Sequence, residues 1–247
     1  LEKLKQRWSP EQIAGRAKML KLFNVSCSSV YRYIHKDFED LFSERLFVHL
    51  RRYTLKRRRR RKKRVCHGRK GAPKRSIRER PKASDMRTEL GHFERDLMEG
   101  PRKKVRAVLV IVDRKSRYVS LRLVRKDGTV VQRATKHILK QNQLRSKAKS
   151  ITNDNGAEFI KAVSPKAEKE LGVAVYFTDP CSPWQRGTVE NSIGLLRQYL
   201  PKKFDFSTMT QRALKKIEQQ LNTRPRKVLN YKTPSEILLA KPLRKSL

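Results

Sequence analysis

VRAVLVIVDRKSRYVSLRLV, residues 105–124, decides the fold. Val105 to Asp113 is a run of apolar, mostly β-branched residues, the pattern of a strand buried inside a sheet. Tyr118 to Val124 alternates apolar and polar and reads as its neighbour, with Arg114, Lys115, Ser116 and Arg117 as the connecting turn. Working outward, HFERDLM (92–98) is a short strand upstream. Downstream, residues 129–144 set Val130, Val131, Ala134, Ile138 and Leu139 at helical spacing. KSIT (149–152) is a short strand that ends at Asn153-Asp154, and a helix near 165–171 leads to the strand VAVYFT (173–178). Helices follow at 188–200 and 208–221. Three strands, helix, strand, helix, strand and helix describe an α/β domain with a mixed sheet, roughly 150 residues long.

The composition names the partner. Of 247 residues, 62 are Lys or Arg and 23 are Asp or Glu, a formal net charge of +39. Self-repulsion on that scale calls for a polyanion, and nucleic acid supplies one through its phosphates. An anionic membrane is excluded as partner, since no apolar run reaches spanning length and no amphipathic anchor stands out. Cys27, Cys66 and Cys181 are too few and too scattered for a disulfide framework or a zinc site, which implies a reducing, cytoplasmic setting.

The charge is densest in the first third of the chain. In SPEQIAGRAKMLKLFNVSCSSVYRYIHK (9–36), Ser9 is an N-cap followed by Pro10 at the first helical position, and Ser26 is a second N-cap. Two short helices joined by a tight turn suit a helix-turn-helix, with Ser28, Ser29, Tyr31 and Arg32 on the second helix as DNA-contacting residues; an ordinary helical hairpin is the alternative. A helix is expected over 38–55. From Arg51 to Lys82 there are 18 Lys and Arg residues against the single acid Glu79. Such a run is expected to be extended and to lie along phosphates, with Lys56, Arg57, Arg58, Arg59, Arg60 and Arg61 as contacts. The division expected is a small all-α DNA-binding domain (1–50), a basic DNA-tracking linker (51–87), the α/β core (88–205) and a C-terminal helical extension (206–247).

So basic a protein needs a reason to place acids together. In-line displacement at a phosphodiester requires divalent ions, and carboxylates to hold them. Glu94 and Asp96 share one face of their strand, and the pattern does not choose between them. ITNDNGAEF (151–159) has two readings: Asn155-Gly156 is a tight-turn dipeptide that would make Asp154 a mere turn former, or Asp154 ends a strand at a metal site. Glu190 flanks the stripe Val189, Ile193, Leu196 and Leu200 of its helix, with 35 residues between it and Asp154. An exposed first-turn Glu that merely favours the helix dipole is the plainer account of it.

GHFERDL, TNDNGAEF and DPCSPWQRGTVENSIGLLRQYLPKKFDF, with LNTRPRKVLNYKTPSEIL behind them, resemble the insertion-sequence-thirty family of bacterial DDE transposases, from about Ser9 to Glu236. The resemblance implies a ribonuclease-H-like, retroviral-integrase-like catalytic core behind a helix-turn-helix domain. It implies Asp96, Asp154 and Glu190 as the catalytic metal ligands, two magnesium ions with manganese as substitute, and cleavage and strand transfer at terminal inverted repeats. Double-stranded DNA is then the partner of a homodimer or higher oligomer, in the bacterial cytoplasm at the nucleoid, and a further DNA-binding segment is expected upstream of Leu1. Gln185, Arg186 and Arg197 are expected to meet DNA, and Trp184 either stacks on a base or packs in the core. Phe93 and Arg95 stand where the family usually has tryptophan and glycine, and Cys181 where it has tyrosine; Arg95 is expected as a bulky cation beside the site. Rival classes are a non-catalytic sequence-specific DNA-binding protein, an RNA-binding protein and a nonspecific nuclease.

Overall fold

The structure is a computed structural model that describes residues 1–35, 46–50, 75–101, 105–141, 144, 147–161 and 165–239. The run from Lys56 to Arg64, with its six expected phosphate contacts, lies outside the described residues, as does most of the helix expected over 38–55. In chain order the helices are α1 (Glu2–Lys5), α2 (Pro10–Met19), α3 (Cys27–His35), α4 (Lys82–Met86), α5 (Gly128–Lys140), α6 (Ala157–Lys161), α7 (Pro165–Leu171), α8 (Gly187–Leu196), α9 (Gln211–Asn222) and α10 (Pro234–Leu239). The strands are β1 (His92–Glu99), β2 (Arg106–Asp113), β3 (Val119–Arg125), β4 (Ser150–Asn153) and β5 (Ala174–Phe177). No helix among the described residues is long and apolar enough to cross a membrane.

The chain forms two compact units, Leu1–Lys63 with Asn222–Leu247, and Arg64–Leu221. In the first unit both N-caps form. The Ser9 hydroxyl accepts from Gln12 N–H while the Gln12 side chain accepts from Ser9 N–H, closing a capping box on α2. The Ser26 hydroxyl accepts from Ser29 N–H at the start of α3. Leu4, Ile34 and Leu46 make a small core with Ile13, Val30, Phe47 and Leu50 against it. Ser28, Ser29, Tyr31 and Arg32 are all exposed on α3.

The C-terminal end of the chain packs into this same unit. Arg16, only 3% exposed, forks onto Glu236 of α10 at 2.9 and 2.5 Å and also donates to Tyr231 O at 3.1 Å. Removing one partner of a buried pair strands the other charge. Glu236→Ala should therefore destabilise this unit by about 3 kcal/mol. Limited proteolysis checks this: the 222–239 segment should be cut first in the variant, with the second unit still resistant.

The second unit is built on one five-stranded mixed sheet, order β3-β2-β1-β4-β5, with β3, β2 and β1 antiparallel and β1, β4 and β5 parallel. With helices on its faces, this is the ribonuclease-H-like topology. The interior strand β2 is buried from Ala107 to Asp113, as its unbroken apolar run demands. On one face Met98, Val108, Val110 and Val112 meet Val189, Leu195, Leu196 and Leu200 of the α8 region and Leu214 and Leu221 of α9.

Both edges of the sheet are covered by segments whose place the sequence pattern does not reveal. The outward N–H groups of Leu121 and Leu123 on β3 donate to Glu218 (2.7 Å) and Gln211 (3.0 Å) of α9. Capping an open edge in this way removes a site of strand pairing with other chains. The expected extension 206–247 is accordingly divided: Phe206, Leu214 and Leu221 are buried in the second unit, whereas Asn222–Leu247 groups with the first. At the other edge Phe177 N–H donates to Arg75 O at 3.0 Å, and Ser76 bridges Phe177. Residues 75–87 thus add to the sheet edge and to α4 rather than serving as an extended linker.

Candidate active site

Period-two alternation along β1 separates two sets of side chains. Glu94, Asp96 and Met98 face α8, while Phe93, Arg95 and Leu97 face α5. Parallel pairing of β1 with β4 sets Glu94 opposite Thr152, so two residues further on Asp96, within β1, comes level with Asp154, just past the end of β4. There one guanidinium spans them. Arg186, 7% exposed, reaches Asp96 Oδ2 at 3.2 Å and Asp154 Oδ2 at 3.0 Å, and donates to Arg95 O at 3.2 Å.

Asp154 forms the tight turn of its first reading and leaves one oxygen toward Arg186. Its Oδ1 accepts from Gly156 N–H at 3.0 Å, the hydrogen bond of an Asx turn, while Oδ2 faces Arg186. Asn155 ties the same turn to β5 by donating to Thr178 O at 2.7 Å. Asp96 is held by a bond from its own neighbour, Leu97 N–H to Oδ1 at 2.7 Å. Burial pushes its carboxyl up to about 6, with Arg186 pulling it down and the Asp154 carboxylate adding to the rise.

Glu190 stands apart from this pair. It lies in the first turn of α8, exposed, one helical turn on from Arg186, and has no hydrogen bond or ion pair with any described residue. Among the described residues, no three His, Cys, Asp or Glu side chains approach closely enough to hold a metal ion. Two hard oxygen donors turned toward a single cation do fit a divalent ion, with the guanidinium as its stand-in.

Three residues that the sequence pattern does not link to α8 fix where it begins. Glu94, fully buried, accepts from Val189 N–H at 2.7 Å and pairs with the Arg114 guanidinium. Arg117 donates to the Thr188 hydroxyl at 3.0 Å. Both arginines come from the β2–β3 turn, which Asp113 closes by accepting from Ser116 N–H and its hydroxyl at 2.6 Å. The signal for Glu94 was present in the strand alternation that left it level with Asp96.

Other expected contacts are engaged elsewhere. Arg95 lies on the face of the sheet opposite Asp96, 0% exposed, although the charge of Asp154 acts on it. There it donates to Asn153 Oδ1 (2.9 Å) and Thr135 Oγ1 (2.8 Å) and lies 4.8 Å from the Phe159 ring. Burial lowers its pKa to about 10. Gln185 spends both ends of its amide on Asp179, and Arg197 donates to the carbonyls of Glu99 (2.8 Å) and Pro201 (3.4 Å). Trp184 is not a core residue: it is 74% exposed.

The chain has relatives among known transposases. No family model matches the chain. It is 40% identical over 250 residues to the transposase InsI for insertion sequence element IS30C of Escherichia coli (strain K12), covering 96% of this chain and 63% of that protein. It therefore spans less than two thirds of that relative's length. The transposase for insertion sequence element IS4351 of Bacteroides fragilis is 37% identical, with 94% of this chain and 69% of that protein covered. The transposase for element IS1086 of Cupriavidus metallidurans is also 37% identical, with 95% and 69% covered. Among solved structures, the catalytic core domain of BIV integrase is similar with a TM-score of 0.48 and 20% identity, over 61% of this chain and 94% of that one. The chain belongs to the IS30 family of transposases.

Proposed function

We propose that this chain binds the ends of a DNA element and catalyses divalent-metal-dependent cleavage and joining of DNA strands. The observation that carries the reading is the pair Asp96 and Asp154, brought level by adjacent parallel strands and sharing one guanidinium. Asp96 and Asp154 would hold the metal, with Glu190 of α8 as third ligand. Divalent ions bound there supply the positive charge that activates an oxygen nucleophile and offsets the leaving oxygen. Arg186 pairs with both acids; a divalent ion would take the same oxygens and leave a guanidinium suited to a phosphate. The exposed α3 residues Ser28, Ser29, Tyr31 and Arg32 read duplex DNA as the second helix of a helix-turn-helix. The run Lys56–Arg61 adds sequence-independent affinity, which falls steeply with salt. Joining two ends calls for at least two copies of the chain on DNA.

The test is a strand-transfer assay with the full-length chain, labelled duplex carrying the element's ends, and magnesium or manganese, beside a chelated control. Nicked and joined products that require the metal are expected. Tight duplex binding without any product under either metal would sink the catalytic reading and leave a DNA-binding protein.

The raised carboxyl of Asp96 sets a pH dependence. The unfolded chain loses this proton near its ordinary value of 3.8 and the native chain near 6, so the native state binds more protons between the two. Metal-free stability should therefore fall as pH rises through that window and level off above it. Metal binding has the opposite sign. Below about 6 the proton competes, and magnesium affinity should drop by up to about tenfold per pH unit. Calorimetric titration on either side of the window checks this; a pH-independent affinity would remove Asp96 from the metal site.

A further inference from the structure

The loop between β5 and α8 is tied down almost everywhere except at one side chain. Thr178 N–H donates to Asn153 O at 3.0 Å. Gln185 closes the loop on itself, its Oε1 accepting from Asp179 N–H at 2.8 Å and its Nε2 donating to Asp179 Oδ2 at 3.0 Å. Cys181 turns the chain with a left-handed φ of 57°. Arg186 is anchored on Asp96, Asp154 and Arg95 O. Between these anchors, in the short 3-10 turn Pro183–Arg186, Trp184 projects with 74% of its surface exposed, whereas Trp8 is 7% exposed. A second exposed group reaches the same loop from the 3-10 turn Ile77–Glu79: Arg78, with its side chain 82% exposed, lies 3.7 Å from Asp179 Oδ2, the oxygen that Gln185 also holds.

A single exposed indole is a poor protein contact, since such contacts favour a contiguous apolar patch. It is a good base contact. An aromatic face beside a guanidinium is how proteins capture unpaired nucleotides, the ring under the base and the cation on its phosphate. Its place also fits: Trp184 is two residues before the side chain that spans both acids, so a base stacked on it belongs to a nucleotide close to the reacting phosphodiester. Bringing a duplex end to such a site requires unstacking the terminal nucleotides, a cost that a waiting aromatic surface offsets.

We propose that Trp184 stacks on a base unpaired from the end of the DNA substrate and, with Arg78 on the adjacent phosphate, holds that end open at Asp96 and Asp154. This rests on the strand-transfer reading, and its test does not use catalysis. The full-length chain is titrated without metal against two duplexes of one sequence, one blunt and one with its last few nucleotides unpaired. Wild type should prefer the unpaired end by about tenfold, with its tryptophan emission quenched at saturation. Trp184→Ala should bind the two duplexes alike, Trp184→Phe should keep most of the preference, and only wild type should show the quench. Equal preference in wild type and Trp184→Ala, or emission unchanged at saturation, would overturn the assignment. So would a loss of self-association in Trp184→Ala with the preference retained, which would make the indole a contact between copies. A wild-type chain that shows the preference and the quench but never cuts or joins DNA would refute the strand-transfer reading and leave the stacking intact.

Discussion

Asp154→Asn should lower strand cleavage and joining by on the order of a thousandfold while leaving folding and duplex binding close to wild type. The expectation comes from the two jobs of this side chain. Its Oδ1 accepts from Gly156 N–H, and an asparagine oxygen accepts equally well, so the turn survives the substitution. Its Oδ2 faces Arg186, and there the amide brings no charge to hold a cation. Asp154→Ala removes both, so it should lose activity to the same degree and some stability besides. Asp96→Asn should match Asp154→Asn in activity. Parallel measurement of product yield and thermal midpoint separates the roles: Asp154→Asn active within about tenfold of wild type would reduce Asp154 to a turn former.

Glu94→Ala is the substitution with the largest expected effect on folding. It leaves the Arg114 guanidinium, 5% exposed, without its main counter-charge, and Val189 N–H without an acceptor. Breaking a buried pair from one side costs about 3–5 kcal/mol, a large part of the roughly 5–15 kcal/mol that holds a domain together. Asp85, 3.9 Å from Arg114, is too distant and too exposed to replace it. Glu94→Gln keeps an acceptor for Val189 and should cost less. Urea unfolding gives the order directly: midpoints should fall from wild type to Gln to Ala. A Glu94→Ala midpoint equal to that of wild type would show that the start of α8 is held by packing alone.

Much of the core was legible because its signals are local. The run in β2, the alternation in β3 and the caps at Ser9 and Ser26 each depend on neighbours in sequence, and each element forms close to where its pattern sets it. The short α6 and α10 offered no such pattern, being too brief to display a period. Arg95 shows how a local signal can be present and misapplied. The alternation that sets Glu94 and Asp96 on one face necessarily turns Arg95 to the other, beneath Thr135 of α5. Trp184 lay beyond such reasoning, since an aromatic residue in a loop is buried or displayed according to what folds around it.

The sequence by itself determined the order of the main strands and helices, that Asp96 lies within one strand and Asp154 at the end of another, and the charge from which a nucleic-acid partner is expected. Backbone periodicity and side-chain chemistry are properties of short segments, so these needed no tertiary knowledge. Only the tertiary structure decided that β1 and β4 pair in the register that levels the two aspartates, that Arg186 spans them and that Glu94 anchors α8. Only it assigned α9 to the edge of β3 and the segment after it to the unit of the N-terminal helices. Those outcomes depend on which distant groups satisfy buried charges and open strand edges. That choice is made by the whole fold, and no window of sequence contains it.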